Sequence, residues 1–271
     1  MTSRGHIWLR ALTDQAPQIV SGTSTVLYAD AVLNEETARF ITVVPDAENR
    51  FPRARNGEVG LDEGWGLAAI LRDTMRADQG GARRPIVALV DVTSQAYGRR
   101  EEMLGIHLAC AAAADAYAAA RLGGHPVIAL LVGKAMSGAF LAHGYQANRL
   151  LALDDPAVLI HAMGREAAAR VTRRCLQEID ELGARIPPMS YVLKDYAKLG
   201  LLSGVIAGVA ADDPGADDVA RVKQELVAAI MDVRASTTRD LGCRLTSPEA
   251  RDMRAASIAV RQKISEQWDM R

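Results

Sequence analysis

Residues 125–144 read HPVIALLVGKAMSGAFLAHG and contain an apolar strand, a glycine-containing turn and the start of a helix. The run from Val127 to Val132 is uncharged and aliphatic, which is typical of a parallel strand buried on both faces. Gly133 and Gly138 lie on either side of the turn. The first N–H groups of a helix have no helical partner, and small residues there let a ligand approach them closely. Alternatively, the small residues only allow the helix to pack closely on the sheet. The stretch predicts a strand that leads directly into a helix.

The same order of strand and helix recurs along the chain. Strands are predicted at residues 24–33, 39–46, 83–92 and 149–163, the last as one or two strands. Helices are predicted in the later part of 57–78, at 103–124 with two glycines as a stop, at 137–147 and at 164–185. Beyond residue 188 the pattern is mainly helical, and Ser247 is predicted to cap the last helix. This alternation predicts an α/β fold.

We interpret residues 1–271 as one domain with three parts. Residues 1–22 are weakly patterned and form either a short docking helix or a loose N-terminal arm. Residues 23–187 form the core of strands and helices. Residues 188–271 form a mainly helical extension, and nothing between it and the core resembles a long flexible linker, so we assign both to one domain. The extension is a natural candidate for packing against a partner.

Composition and charge restrict the function classes. The 271 residues carry 32 basic and 33 acidic side chains and are 49% apolar, which fits a sizeable core and no global attraction to nucleic acid or anionic membranes. Three widely separated cysteines lack the spacing of zinc or redox motifs and suggest a reducing cytosol. No segment resembles a secretion signal or a membrane-spanning helix. The five histidines include no i, i+4 pair, so we expect no metal site.

A second turn, TSQAYGRREE at residues 93–102, also follows a predicted strand. Ligand crevices of α/β sheets open at this end of the strands. Arg99 and Arg100, next to Tyr97 and Gly98, would hold a phosphate or carboxylate there. Alternatively, the two arginines and the glutamates that follow form only a solvated helix start with local ion pairs. Both interpretations are open from the sequence.

A third turn, at residues 162–164, follows the strand that carries His161. This histidine would contact a substrate carbonyl or carboxylate, donate a proton near neutral pH, or serve only as a structural hydrogen-bonding group. The sequence contains no Gly-x-Ser-x-Gly elbow, no Walker-type phosphate loop and no Gly-x-Gly-x-x-Gly after a strand. The pattern therefore favours catalysis by oriented backbone dipoles over catalysis through a covalent intermediate.

The three turns, in this order, resemble those of the carboxyltransferase branch of the crotonase superfamily. The matching stretches are Val90-Asp91, Gln95-Ala96-Tyr97-Gly98, His125-Pro126-Val127, Lys134 to Phe140, Ala162-Met163-Gly164 and the later KLGLLSGVIAG. Thr93-Ser94 and Met136-Ser137 depart from the Pro-Gly and glycine-rich pairs that are common in that branch. Within the branch, the QAYGRREE loop and the modest length are most similar to the gamma subunits of malonate decarboxylases.

This resemblance implies a crotonase-like stack of β-β-α units in the core and a heterodimer with a homologous beta subunit, with the active site between the two chains. It implies a malonyl group carried as a thioester on the coenzyme-A-like prosthetic group of an acyl carrier protein subunit, with no cofactor bound by this chain. Loss of carbon dioxide leaves negative charge on an enolate oxygen, and we predict that backbone amides at the turn Ser137, Gly138 and Ala139 stabilise it. The predicted substrate-binding residues are Tyr97, Gly98, Arg99, Arg100, Lys134, Met136, His161, Met163 and Gly164.

Three other functions are compatible with these features. The first is a biotin-dependent transferase that moves the malonyl carboxyl group to a biotin protein. The second is an acyl-coenzyme A hydratase or isomerase, for which Asp91 and Glu101 are the available acids. The third is a non-catalytic scaffold that completes the active site of the beta subunit.

Overall fold

A mixed sheet of eight strands forms the centre of the computed structural model, which describes residues 3–268. In chain order the strands are β1 (Gln18–Ile19), β2 (Val26–Leu33), β3 (Glu36–Val43), β4 (Ile86–Val92), β5 (Val127–Met136), β6 (Arg149–Leu153), β7 (Ile160–His161) and β8 (Gly204–Ile206). The helices are α1 (Arg4–Thr13), α2 (Leu61–Ala77), α3 (Arg99–Met103), α4 (Ile106–Leu122), α5 (Ser137–Ala142), α6 (Arg165–Thr172), α7 (Leu176–Arg185), α8 (Leu193–Lys198), α9 (Ala216–Ala235), α10 (Pro248–Met253) and α11 (Ala255–Trp268). The recurring strand-and-helix units confirm the predicted α/β class.

The strand order within the sheet is β1-β2-β3-β4-β5-β6-β8, and β7 pairs with the end of β5. The first three strands are antiparallel, and all pairings from β3 onward are parallel. Asn34 and Glu35 connect β2 to β3 with positive φ angles of 47° and 69°, which a tight two-residue hairpin turn requires. Because β4 and β5 are parallel neighbours, their C-terminal ends lie side by side at one edge of the sheet.

Strands β4 and β5 are almost wholly buried, which explains their uninterrupted apolar sequences. Asp91 is the one residue of β4 that is not buried, and Lys134 is the one exposed residue of β5. Helices α2 and α4 pack closely together, since a Cβ added to Gly64 of α2 would lie only 2.7 Å from the carbonyl carbon of Ala109 in α4. The alanine-rich composition of α4 therefore serves close helix packing.

The N-terminal helix α1 is docked on the sheet. Its side chains Trp8, Leu9 and Leu12 are fully buried, and Trp8 Nε1 donates to the carbonyl oxygen of Ala211 at 2.9 Å. Arg4 Nη1 forms an ion pair with Asp155 Oδ1 at 2.8 Å. The sequence predicted either a docking helix or a loose arm in residues 1–22, and the structure has the docking helix. Residues 1 and 2 lie outside the described part.

Several segments differ from the predicted elements. β5 extends to Met136 because its last two residues pair with β7. The predicted helix 164–185 is divided into α6 and α7 after Arg173, whose φ of 55° is incompatible with a continuous helix. The strand β8 lies within the extension predicted as mainly helical, and it pairs with β6.

The predicted last helix begins after Ser247 as expected, but it is divided at Arg254 into α10 and α11. Ser247 is the N-cap of α10, and its side-chain oxygen accepts a hydrogen bond from the Ala250 amide at 3.1 Å. In α11 every residue except Ile258 is exposed. Within residues 3–268, no helix combines the length and the apolar character needed to cross a membrane.

Candidate active site

The three predicted turns meet at the C-terminal ends of β4 and β5. The loop after β4 contains Gln95 and Tyr97, and both side chains contact Ser137 at the start of α5. Strand β7 brings the third turn to the same place, because His161 is the ladder partner of Met136. This edge is the one at which α/β sheets usually bind ligands.

A hydrogen-bonded network joins the first two turns. The Gly138 amide donates to Gln95 Oε1 at 2.7 Å, and Ser137 Oγ donates to the same oxygen at 3.2 Å. The hydroxyl oxygens of Tyr97 and Ser137 are 2.6 Å apart. Because the Ser137 hydroxyl uses its proton toward Gln95, the Tyr97 hydroxyl is the donor in this last bond. Gln95 Oε1 is therefore held by two donors.

Ser137 has a left-handed backbone conformation, with φ at 59°. For a residue with a side chain this conformation costs about 1–2 kcal/mol relative to the right-handed helix. Ser137 was predicted to stand where related turns have glycine, and its backbone is one that favours glycine. The conformation turns the chain from β5 into α5 within a single residue.

The Gly138 amide is not open to a ligand in this conformation, which differs from the role we predicted for it. A Cβ added to Gly138 would lie 2.0 Å from Gln95 Oε1, so the carboxamide fills the space beside the glycine. A close approach to Gly138 does occur, but the approaching oxygen belongs to the protein. A direct contact of this amide with a substrate oxygen would require Gln95 to move. Ala139, the next residue of the predicted group, is fully buried in α5.

A cavity of about 390 Å³ adjoins this network, between α4 and α5. We call it the α4–α5 cavity. Its walls are formed by Gln95, Glu102, Ile106, His107, Cys110, Ala111, Ala114, Gly138, Leu141 and Ala142. Burial raises the pKa of the Cys110 thiol to about 11, so this side chain is a neutral thiol at neutral pH and a poor nucleophile.

Asp91 has a structural role at the end of β4. Its Oδ1 accepts a hydrogen bond from the Lys134 amide at 3.1 Å, and its Oδ2 accepts one from the Arg4 amide at 3.1 Å. The other acid considered for a hydratase, Glu101, is buried beside Gly98. Neither carboxylate lines the α4–α5 cavity, so the structure does not support the hydratase alternative.

The predicted anion-binding cations lie on the surface. Arg99 and Arg100 are exposed at the start of α3, and the Arg100 guanidinium carbon lies 5.1 Å from the centre of the Phe51 ring. The Lys134 side chain is exposed, and Tyr97 is about half exposed, at 52%. None of these side chains lines the α4–α5 cavity. Contact with the phosphates of a carrier arm stays a prediction for the two arginines.

His161 is engaged within its own turn. Its Nδ1 lies 2.9 Å from the carbonyl oxygen of Met163, and its ring stacks on Tyr191 with centres 3.9 Å apart. Burial lowers the pKa of His161, so the imidazole is neutral at neutral pH. The Tyr191 hydroxyl donates to the same Met163 oxygen at 2.9 Å, and Gly164 is the N-cap of α6. These contacts favour the structural interpretation of His161 over that of a proton donor.

A larger cavity, of about 860 Å³, lies beside this third turn. Tyr191 is in its wall together with Arg165, whose Nε is buried without a hydrogen-bond partner in the described residues. Gly138 and its partner Gln95 line the α4–α5 cavity but are not part of the wall of this larger one. We therefore regard the smaller α4–α5 cavity as the candidate site. In residues 3–268 no group of three or more His, Cys, Asp or Glu side chains is placed to hold a metal ion.

Gln95 is the functional candidate that the sequence prediction did not include. It appears in the family-like stretch Gln95 to Gly98, but only its neighbours were assigned a role. Two features of the sequence point to it: it is an uncharged donor in the loop that follows a buried strand, and the adjacent parallel strand ends at the Gly138 turn. Because the ends of neighbouring parallel strands lie side by side, these two features together predict contact between Gln95 and the Gly138 turn.

Comparisons with known proteins show the family of the chain. The family model described as "Malonate decarboxylase gamma subunit" matches residues 54–268. A Pseudomonas malonate decarboxylase hetero-tetramer solved in complex with coenzyme A contains a chain 52% identical to this one, with a TM-score of 0.92, covering 98% of this chain and 100% of that one. A Pseudomonas MdcD-MdcE hetero-dimer gives 52% identity, a TM-score of 0.90 and the same coverage.

Two more distant matches are to carboxyltransferases. The malonyl-S-ACP:biotin-protein carboxyltransferase MADD of Malonomonas rubra is 37% identical over 142 residues, which is 51% of this chain and 49% of that protein. The match thus spans about half the length of this curated relative. A transcarboxylase 12S structure, 19% identical with a TM-score of 0.64, covers 86% of this chain and 42% of that one and shows the shared crotonase-like fold. By its sequence and its structure, this chain belongs to the family of malonate decarboxylase gamma subunits.

Proposed function

We propose that this chain acts with a homologous beta subunit to decarboxylate a malonyl thioester, giving an acetyl thioester and carbon dioxide. The malonyl group is carried on the coenzyme-A-like prosthetic group of an acyl carrier protein, and the complex works in the cytoplasm. Membership of the gamma-subunit family supports the reaction, and the hetero-dimeric and hetero-tetrameric relatives support the partner. The coenzyme A complex of one relative supports a thioester substrate.

The observation that carries this proposal is the Gln95 carboxamide in the wall of the α4–α5 cavity, held there by the Gly138 amide and the Ser137 hydroxyl. Decarboxylation of a malonyl thioester needs no nucleophile from the protein, because the substrate's own C–C bond supplies the electron pair. It needs stabilisation of the enolate oxygen, which fixed neutral donors provide. A site with amide and hydroxyl groups and with a neutral thiol fits this requirement.

The predicted residues have the following proposed roles. The turn of Ser137, Gly138 and Ala139 holds the donors of this chain in place. Arg99 and Arg100 bind the phosphates of the carrier arm, for which their exposed position is suitable. The remaining contacts with the substrate and its carrier come from Tyr97, Gly98, Lys134, Met136, His161, Met163 and Gly164.

The test is reconstitution. This chain is co-purified with the beta subunit, and carbon dioxide release from a malonyl thioester is measured for the complex and for each chain alone. We expect release from the complex only. Full activity of the beta subunit alone would refute a catalytic contribution by this chain.

A second function is favoured by one finding, the similarity to the biotin-protein carboxyltransferase of Malonomonas rubra. A transferase of this kind moves the carboxyl group to biotin instead of releasing it as carbon dioxide. Avidin added to the reconstituted reaction separates the two functions, because it sequesters biotin proteins. We expect no inhibition; inhibition would establish the transferase.

A further inference from the structure

We infer that the Gln95 side chain, and not the Gly138 amide, is the donor that this chain presents to the substrate. The inference rests on the proposed function. The Nε2 group of Gln95 donates a hydrogen bond to the thioester oxygen that becomes negative as carbon dioxide leaves. The Gly138 amide then acts as a positioning group for Gln95.

The orientation of the carboxamide follows from its partners. The Gly138 amide can only donate, so the Gln95 atom 2.7 Å away must be the oxygen. The other end of the carboxamide is therefore the NH₂ group, which carries two protons to donate. In residues 3–268 the buried side-chain atoms without a partner are Arg165 Nε and Arg244 Nε. Gln95 Nε2 is not among them, and no side-chain hydrogen bond of the described residues involves it, so this donor is accessible.

The loop that carries Gln95 is held from both sides. The Val59 amide donates to the carbonyl oxygen of Ser94 at 2.9 Å, and the Ala96 amide donates to the carbonyl oxygen of Val59 at 2.9 Å. With the backbone fixed by Val59 and Oε1 fixed by Gly138 and Ser137, the NH₂ group has little freedom to reorient. Donors that need no reorganisation during the reaction are the ones that stabilise a developing oxyanion best.

Gln95 and Gly138 both form the wall of the α4–α5 cavity, so this cavity adjoins the carboxamide. Apolar side chains such as Ile106 and Leu141 form other parts of that wall, and an apolar surrounding strengthens a hydrogen bond. The titratable residues of the wall are Glu102, His107 and Cys110; none of the residues that form it is Lys or Arg. The wall thus offers an uncharged side-chain donor with a fixed orientation, the Gln95 carboxamide.

The reaction places a clear demand on such a donor. The bond between the carboxylate carbon and the α-carbon breaks, and its electron pair moves into the thioester as an enolate while carbon dioxide leaves. The enolate then takes a proton from water and becomes the acetyl thioester. Gln95 transfers no proton in this sequence; it donates a hydrogen bond that strengthens as charge grows on the oxygen.

Two substitutions test the inference in the complex with the beta subunit. Gln95→Ala removes the whole carboxamide. Gln95→Glu keeps the length and an oxygen for Gly138 and Ser137 but replaces the NH₂ group with an oxygen. We expect each to lower kcat for a malonyl thioester by about 100-fold or more, the loss typical of one oxyanion donor, with KM changed by no more than about threefold. Gln79→Glu, at an exposed position after α2, is the matched control and keeps the wild-type kcat.

The outcomes separate the possible roles of Gln95. An unchanged or higher kcat in Gln95→Ala would overturn the inference, because Gln95 would then only block the Gly138 amide. Wild-type activity in Gln95→Glu would overturn it too, since that variant has no NH₂ donor. The unfolding temperature and co-elution with the beta subunit are measured for each variant, and the isosteric Glu variant keeps the test valid if the Ala variant does not assemble.

Failure of the proposed function has a different signature. A wild-type complex that releases no carbon dioxide refutes the function, and the role of Gln95 as a donor is then decided by calorimetric binding of malonyl-coenzyme A. Loss of one hydrogen bond would weaken that binding about threefold in Gln95→Glu. Equal affinity of the wild type and the variant would contradict the role.

Discussion

Replacing Gly138 with alanine changes one methyl group at the most crowded point of the candidate site. The added Cβ would lie 2.0 Å from Gln95 Oε1 and 2.9 Å from its Cδ. Carbon and oxygen atoms in contact are normally separated by more than about 3 Å, so the Gln95 carboxamide must leave its place. It then loses the hydrogen bonds from the Gly138 amide and the Ser137 hydroxyl.

The magnitude follows from these two bonds. Each contributes about 1 kcal/mol, so we expect Gly138→Ala to lower the free energy of unfolding by about 1–2 kcal/mol and the unfolding temperature by a few degrees. The effect on activity is larger, because the displaced carboxamide no longer faces the cavity in a fixed orientation. We expect kcat to fall by about 100-fold.

The assay is carbon dioxide release from a malonyl thioester by the complex with the beta subunit, after gel filtration has shown that the variant assembles. Gly164→Ala is a suitable comparison at a turn that also opens a helix: its added Cβ has only Glu166 Oε2 nearby, at 3.8 Å, and we expect normal folding and assembly. If Gly138→Ala assembles and keeps activity within about threefold of the wild type, less than the loss of one donor, the reasoning is refuted and the scaffold function is favoured.

Three further predictions concern single side chains. Ser137→Ala and Ser137→Gly both remove the hydroxyl bonded to Gln95, so each should lower kcat about fivefold. In urea unfolding the glycine variant should be more stable than the alanine variant by about 1 kcal/mol, because glycine tolerates the φ of 59°. Equal stability of the two variants would contradict backbone strain at this position. Burial lowers the pKa of His143 to about 4, below the value of an unfolded chain, so stability is lost as the pH falls from about 6.5 toward 4. Between these values the wild type should lose about 1.4 kcal/mol per pH unit more than His143→Gln, and parallel pH profiles would refute this. Trp8→Ala should cost about 3–5 kcal/mol in the free energy of unfolding, since the indole is fully buried and bonded to Ala211; a loss below 1 kcal/mol would mean that α1 is not required for the fold.

The main strands of the central sheet could be predicted because their signals are local. The run Val127 to Val132 is apolar at every position, and only a strand covered on both faces accounts for that in so short a segment. The cap at Ser247 likewise depends on adjacent residues, since Pro248 follows it at the first helical position. Strands that depend on a distant partner were harder to predict from the sequence. The extension of β5 to Met136 depends on pairing with β7, and β8 depends on pairing with β6.

The location of the candidate site could be predicted from the sequence, but the contacts between its residues could not. The positions of three turns at strand ends indicated which segments would meet, and the structure brings them together. The acceptor of the Gly138 amide could not be read from the sequence, because it depends on how far the loop after β4 reaches across to α5. That reach is fixed by the bonds between Val59 and the residues flanking Gln95, which are 35 and more positions apart in the chain. Similarly, the stacking of His161 on Tyr191 joins two segments that are distant in the chain, and no local sequence pattern predicts this contact.

The most direct test of the account is a crystal structure of the heterodimer with a stable malonyl-thioester analogue. The account predicts the thioester oxygen at about 3 Å from Gln95 Nε2, with Gln95 Oε1 still accepting the hydrogen bond from the Gly138 amide. An analogue bound with its thioester oxygen on the Gly138 amide and Gln95 turned away, or held by the beta subunit alone, would contradict it.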